Sequence, residues 1–66
     1  MQYVWIMNVL KNAYPNSISA SEISRIIHNN YGVTITSNTI ASIIFYCDNT
    51  DIVITHGRPN KYSIML

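Results

Sequence analysis

The stretch TSNTIASIIFYC, residues 36–47, decides the fold of this chain. Thr36 or Ser37 supplies a side-chain oxygen of the kind that caps the start of a helix. Apolar residues then recur at spacings of three and four, which predicts a helix with one buried stripe. That stripe consists of Ile40, Ile43, Ile44 and Cys47. The other faces should point outward, and they carry Ser37, Asn38, Thr39, Ala41, Ser42, Phe45 and Tyr46.

Two helices are predicted ahead of this one. Residues 3–13 have apolar side chains at helical spacing, and Pro15 ends the helix because proline keeps the preceding residue out of the helical region. A second helix is capped by Ser19, since Ser19 and Glu22 stand three apart before an isoleucine-rich run, the signature of a capping box. We expect it to end near Asn30, where Gly32 can take the left-handed conformation that terminates helices.

The remaining segments have strand or turn character. Residues 52–66 consist of two β-rich runs around the loop HGRPN, residues 56–60, which predicts a β-hairpin with a five-residue tip. Residues 48–51 form a polar break before the hairpin. Residues 17–19 are too short for an independent strand, but they can add one or two hydrogen bonds to the hairpin sheet with Ile18 pointing inward.

This order of elements resembles the winged helix-turn-helix superfamily over nearly the entire chain. Residues 18–23 resemble the entry to its second helix, residues 39–47 occupy the place of its recognition helix, and residues 52–53 and 58–62 that of its wing. The resemblance implies an α+β fold, a three-helix bundle with a C-terminal β-hairpin wing, in one domain over residues 1–66. It also implies a third helix that enters the DNA major groove beside a wing that touches phosphate or the minor groove.

The charge of the chain is low for such a role. The formal net charge is +1, whereas nucleic-acid binders usually present a clearly basic face. Where many members of the superfamily carry Arg or Lys on the third helix, this chain has Ser42, Phe45 and Tyr46. Each phosphate neutralised contributes about −0.9 to the logarithmic salt slope, so the four cations give about −3.6 at most. DNA binding therefore predicts a dimer or a larger assembly that presents two copies to two half-sites of double-stranded DNA.

The candidate DNA contacts lie on the third helix and at the hairpin tip. Short polar side chains can bond base edges or phosphates, and asparagine can pair with adenine in a bidentate manner. Arg58 and Lys61 can approach the phosphate backbone from the hairpin, and Arg25 on the second helix is a further candidate. The helix contributes Ser37, Asn38, Thr39, Ser42 and Tyr46. The alternatives are ordinary capping and solvated positions on the helix and a charged tip that serves solubility.

Aromatic residues predict a second kind of surface. Trp5, Phe45 and Tyr46 exceed what so small a core can bury, and an exposed aromatic cluster is typical of a self-association or partner interface. The alternative is that they cap the edge of the core. A competing function is therefore a protein-binding module, since winged helices also serve in that role. It would dock on a polymerase or a host protein, with Phe45 and Tyr46 as anchors.

Catalysis, metals and membranes are not indicated. His28, His56 and Cys47 lack ligand spacing, and no phosphate-binding glycine loop is present, so we expect neither enzyme nor cofactor. The single Cys47 predicts a reducing compartment, the cytoplasm or a host's cytoplasm. No apolar run approaches the roughly 20 residues that span a bilayer, so we expect a soluble protein. The hypothesis is a small transcriptional regulator of the kind made by phages, plasmids, archaeal viruses or low-GC bacteria.

Overall fold

The fold is that of a computed structural model, which describes residues 2–47 and 51–65. These residues form an α+β arrangement of three helices and one three-stranded antiparallel sheet. In chain order the elements are α1 (Gln2–Ala13), β1 (Ile18–Ser19), α2 (Ala20–Tyr31), α3 (Ser37–Tyr46), β2 (Ile52–Thr55) and β3 (Lys61–Ile64). The predicted order of elements is confirmed, while Leu66 and residues 48–50 of the predicted polar break lie outside the described residues.

Helix α2 begins and ends at the predicted signals. The Ser19 hydroxyl oxygen accepts a hydrogen bond from the backbone N–H of Glu22 at 3.3 Å. Gly32 follows the last turn with φ of 67°, a left-handed conformation that glycine adopts without steric cost. Its N–H donates to the carbonyl of His28 at 2.9 Å. The helix therefore ends at Tyr31, one residue beyond the predicted end.

A capping box has a second contact, from the glutamate side chain to the backbone N–H of the capping residue, and the structure does not show it here. The Glu22 carboxylate was expected to reach back towards Ser19, but both of its oxygens accept from Arg25, at 3.2 Å from Nε and 2.7 Å from Nη2. A bidentate pair between charged partners is stronger than a bond to a neutral amide. The nearby guanidinium, one turn along the same helix, therefore holds the carboxylate.

Helix α3 starts as predicted and ends one residue early. The Thr36 hydroxyl oxygen accepts from the backbone N–H of Thr39 at 3.2 Å. Cys47, predicted as the last member of the helical stripe, instead has an extended backbone just after the helix. Its side chain is still half-buried and its Sγ donates to the carbonyl of Ile44 at 3.1 Å.

Strand β3 lies at the centre of the sheet, between β1 and β2. Tyr62 is the register partner of both Ile18 and Ile54, so these three side chains share one face. Lys61 pairs with Ser19 and Thr55 and shares the opposite face with them. The prediction that residues 17–19 add a short strand with Ile18 inward is thus confirmed.

One core joins the helices to the sheet. The α2–α3 connection contributes Ile35, whose carbonyl accepts from the Ser24 hydroxyl. The buried residues are Ile6, Met7, Val9, Leu10, Ile23, Ile27, Ile35, Ile40, Ile44, Tyr62 and Ile64. Burial of an isoleucine side chain contributes about 1.5–3 kcal/mol. Helix α3 buries Ile40 and Ile44, so its rotation is fixed and its opposite side must face outward.

Candidate functional site

The outward side of α3 carries polar residues near its start. Asn38, Thr39 and Ser42 are exposed, whereas Ser37 is half-buried. Each of the three lies three or four residues from another, as neighbours on one helix surface do. The prediction that the outer residues of this helix are exposed is confirmed for Asn38, Thr39 and Ser42, whereas Ser37 and Ala41 are half-buried. With Phe45 and Tyr46 the three exposed polar residues form the surface that we call the α3 outer face.

The hydrogen bonds of these side chains differ. The Thr39 hydroxyl lies 2.8 Å from the Thr36 hydroxyl, within the cap of α3. One hydrogen-bonding position of this hydroxyl is therefore used within the cap. The exposed residue also carries a methyl group that can make an apolar contact with a partner. Asn38 and Ser42 have no side-chain hydrogen-bond partner among the described residues. Their donors and acceptors are available to a ligand.

Phe45 and Tyr46 project from the last turn of α3. Their side chains are 73% and 79% exposed, the largest values among the large apolar residues that the structure describes. Their ring centroids lie 5.0 Å apart in an edge-to-face arrangement. Folding gains little from rings that remain in water, so their position calls for another explanation.

Trp5 does not join this aromatic pair. It is half-buried and packs against the core from α1. Its ring stacks on that of Tyr31 in α2, with centroids 5.6 Å apart and an angle of 27° between the planes. The expected grouping of Trp5 with Phe45 and Tyr46 is therefore not what the structure shows, and Trp5 caps the core edge between α1 and α2.

A groove of about 380 Å³ separates α3 from the hairpin. It is lined on one side by Ala41, Ser42, Phe45 and Tyr46, and on the other by Ile54, His56, Asn60 and Tyr62. We call this the helix–hairpin groove. The four hairpin residues were not predicted as site residues. Two signals could have indicated them. Side chains alternate between the two faces along each strand, which places Ile54 of β2 and Tyr62 of β3 on the same face. His56 and Asn60 are the first and last residues of the tip.

The hairpin tip is held by one of these residues. The Asn60 side-chain oxygen accepts from the backbone N–H of Gly57 at 2.8 Å, across the five-residue loop. Arg58 is exposed on this loop, and Lys61 is exposed at the start of β3. Neither cation lines the groove. Arg58 lies on the tip between the groove-lining His56 and Asn60, whereas Lys61 lies on the sheet face opposite to the groove-lining Ile54 and Tyr62.

Positive charge is confined to the hairpin side of this region. Helix α3 contains no charged residue, and residues 52–65 contain Arg58 and Lys61 but no acid. Arg25 is different because Glu22 binds it. The guanidinium lowers the pKa of the Glu22 carboxyl, and the carboxylate raises the pKa of Arg25. The pair is neutral as a whole, so Arg25 adds no net positive charge to the surface of α2.

The histidines and the cysteine have ordinary surroundings. His28 Nδ1 lies 3.5 Å from the Thr34 hydroxyl, and His56 borders the groove. In the described parts of the chain no group of three or more His, Cys, Asp or Glu side chains is placed to hold a metal ion. None of the described helices has the length and apolar character that a membrane crossing requires.

Comparisons with protein-family models, with curated proteins and with solved structures gave no match to this chain.

Proposed function

We propose that this chain is a winged helix-turn-helix protein that binds double-stranded DNA and acts as a small transcriptional regulator. One observation carries the proposal. The exposed polar side of α3 adjoins a hairpin that bears Arg58 and Lys61, and residues of the two elements line a common groove. A helix next to a cationic hairpin is the arrangement with which this superfamily meets DNA, with α3 as recognition helix and the hairpin as wing.

The dimensions suit a major groove. The ten residues of α3 span about 15 Å at 1.5 Å per residue, and a B-DNA major groove about 12 Å wide admits a helix. Asn38 and Ser42 then face base edges with unpaired hydrogen-bonding groups, while Arg58 and Lys61 neutralise phosphates. The helix supplies contacts that depend on sequence, and the hairpin supplies contacts that do not.

Charge predicts that the active form is a dimer. With Arg25 bound to Glu22, the two cations of the hairpin, Arg58 and Lys61, remain for phosphate contacts. Two phosphate contacts correspond to a logarithmic salt slope of about −1.8, and a dimer to about −3.6. A single copy would bind weakly, so specific binding depends on two half-sites.

The test is fluorescence anisotropy with a labelled duplex over a salt series, together with the solution mass of the protein. Arg58→Ala and Lys61→Ala should each reduce the magnitude of the salt slope by about 1 per site. Lys11→Ala removes the same charge from α1 and serves as the matched control, which should leave the slope unchanged. Absence of binding at micromolar protein and low salt would refute the proposal, as would an equal effect of all three variants.

A second candidate function is a protein-binding module. The observation that favours it is the edge-to-face pair Phe45 and Tyr46, strongly exposed on a helix without charge. Aromatic residues next to a groove are typical anchors of protein interfaces. The partner would be a polymerase or a host protein, in the cytoplasm of a bacterium or of an infected host. In this reading the hairpin cations serve solubility.

This candidate is tested by partner capture from a lysate of the source or host. Phe45→Ala and Tyr46→Ala should abolish capture while circular dichroism remains unchanged. Val4→Ala, which truncates an apolar side chain 54% exposed on α1, is the control and should retain capture. Capture that survives both aromatic substitutions contradicts this function.

A further inference from the structure

The chemistry of the α3 outer face is restricted. Its exposed residues offer one carboxamide (Asn38), hydroxyls (Ser42 and Tyr46), a methyl group (Thr39) and an aromatic ring (Phe45). Helix α3 contains no Arg, Lys, Asp, Glu or Gln. It therefore lacks several of the groups with which proteins read bases.

Four of the missing side chains, Arg, Lys, Asp and Glu, are the ones that recognise G·C pairs. In the major groove, guanine is read chiefly by Arg or Lys bound to O6 and N7, and the cytosine amino group by Asp or Glu. Adenine is read by the carboxamide of Asn or Gln, and the thymine methyl group by apolar contact with Ala, Phe or a Thr methyl. The α3 outer face holds the second set and lacks the first.

The base-contacting groups lie close together on the exposed side of α3. Asn38, Ser42 and Phe45 follow at spacings of four and three, so they form one stripe along the exposed side. Thr39 stands beside this stripe and carries a methyl group that can make an apolar contact, while its hydroxyl bonds that of Thr36. The amide of Asn38 is unpaired among the described residues, which a bidentate contact to adenine requires.

We propose that α3 selects A·T base pairs in the major groove, with Asn38 bound to adenine N6 and N7 and with Phe45 and the Thr39 methyl group against thymine methyl groups. This inference rests on the proposed function, because it requires that duplex DNA lies against the α3 outer face. Duplex DNA is the occupant that the charges favour, since the exposed Arg58 lies on the hairpin tip between the groove-lining His56 and Asn60, and residues 52–65 contain no acid. Ser42 can bond any of the bases and adds no discrimination.

A preference for A·T pairs could also arise from the hairpin. Narrow minor grooves in A-tracts attract inserted arginine, and Arg58 at the exposed tip could occupy one. The two sources are separable because the thymine methyl group lies in the major groove. Replacement of thymine by uracil removes that methyl group and leaves the minor-groove edge of the base pair intact.

The experiment measures binding of the full chain to two duplexes of equal length at low salt, one of alternating A·T pairs, which contains no A-tract, and one of G·C pairs. One bidentate base contact corresponds to roughly 5- to 150-fold discrimination, and we expect a preference of that size for the A·T duplex. Asn38→Ala should remove most of the preference. Asn12→Ala, an exposed asparagine on α1, is the matched control and should keep it.

Uracil-substituted duplex tests the methyl contact. Wild-type protein should bind the uracil duplex several-fold more weakly than the thymine duplex. Phe45→Ala should reduce this difference, and the combined variant Phe45→Ala with Thr39→Ser should bind the two duplexes about equally. Circular dichroism of each variant verifies folding, which substitutions at exposed positions leave intact.

Each remaining outcome has one meaning. Equal affinity for A·T and G·C duplexes overturns the inference and leaves DNA binding in place. An A·T preference that survives Asn38→Ala and uracil substitution but disappears in Arg58→Ala assigns selection to the minor groove, and also overturns it. Failure to bind either duplex refutes the proposed function itself.

Discussion

Helices α2 and α3 begin in the same way and bury the same kind of side chain. Each is capped by a hydroxyl oxygen that accepts from a backbone N–H three residues later, at 3.3 Å in α2 and 3.2 Å in α3. Each buries two isoleucines four residues apart, Ile23 and Ile27 in α2 and Ile40 and Ile44 in α3. On the inner side the two helices are equivalent.

On the outer side they differ. Helix α2 exposes Arg25, held by Glu22, together with His28 and two asparagines, as a solvated surface helix commonly does. Helix α3 exposes no charge and ends in Phe45 and Tyr46. Since solubility and folding account for the first surface and not for the second, the comparison separates a face that only meets water from one that is suited to a partner.

The largest expected effect is on the free energy of unfolding, and it tests whether only the inner face of α3 contributes to stability. Ile40→Ala should lower the free energy of unfolding by about 2–5 kcal/mol, because it opens a cavity in a fully buried site. Phe45→Ala removes a larger side chain from a mostly solvated position and should change it by less than about 0.5 kcal/mol. Urea unfolding followed by circular dichroism measures both.

A 66-residue domain has little stability to spare, so Ile40→Val serves as the milder variant, with an expected loss of about 0.5–1.5 kcal/mol. Ile27→Val in α2 is its matched control and should cost a similar amount. If Phe45→Ala proves as damaging as Ile40→Val, the ring is buried in solution, for instance between two copies of the chain, and the contrast between the faces fails.

Local patterns in the sequence account for most of the fold. The hydroxyls of Ser19 and Thr36 mark helix starts because they precede apolar residues at helical spacing, and Gly32 marks an end because only a residue suited to positive φ fits there. The five-residue tip at residues 56–60 follows from two β-rich runs around Gly, Pro and Asn. These signals act within a few residues, so they can be read without knowledge of the packing.

The parts that sequence could not predict depend on how distant elements meet. The groove wall contributed by His56 and Asn60 exists only because the folded chain brings the hairpin opposite α3. Trp5 of α1 stacks on Tyr31 of α2, and the periodicity within either helix does not predict this contact. Glu22 had two nearby partners, the backbone N–H of Ser19 and the guanidinium of Arg25, and it binds Arg25. The Ser19–Glu22 spacing that indicates a capping box does not take this competing guanidinium into account. Local rules thus located the outward side of α3 but not what stands opposite it.

Removal of the N-caps of α2 and α3 should have an intermediate effect on the free energy of unfolding, and it compares the starts of the two helices. Ser19→Ala and Thr36→Ala should each lower the free energy of unfolding by about 1 kcal/mol, because each leaves one backbone N–H at a helix start without its acceptor. Ser19→Thr and Thr36→Ser keep the oxygen and should cost much less. Thermal unfolding of the four variants provides the measurement. A large loss at Ser19 with none at Thr36 would mean that the starts of α2 and α3 are not equivalent.

The smallest expected effect concerns the ion pair that only α2 carries. Glu22→Gln removes the carboxylate, whose pKa is lowered by its hydrogen bonds to Arg25 and by the charge of that guanidinium. Because the pKa in the folded protein lies below that of the unfolded chain, the pair stabilises the fold at pH values above the unfolded pKa, near 4.5. That contribution is lost as the pH falls through the lower folded value. An exposed pair contributes little, so wild type should be only slightly more stable than Glu22→Gln at pH 7.

The pH dependence of that difference decides its origin. Urea unfolding at pH 7 and at successively lower pH should show the advantage of wild type shrinking below pH 4.5, and raised salt at pH 7 should shrink it too, because salt screens exposed charges. Arg25→Gln, alone and combined with Glu22→Gln, completes a double-mutant cycle that isolates the pair. An advantage that persists undiminished in acid would show that Glu22 acts through something other than its charge. In that case the outer side of α2 would have a role besides solvation, and it could not serve as the reference for the outer side of α3.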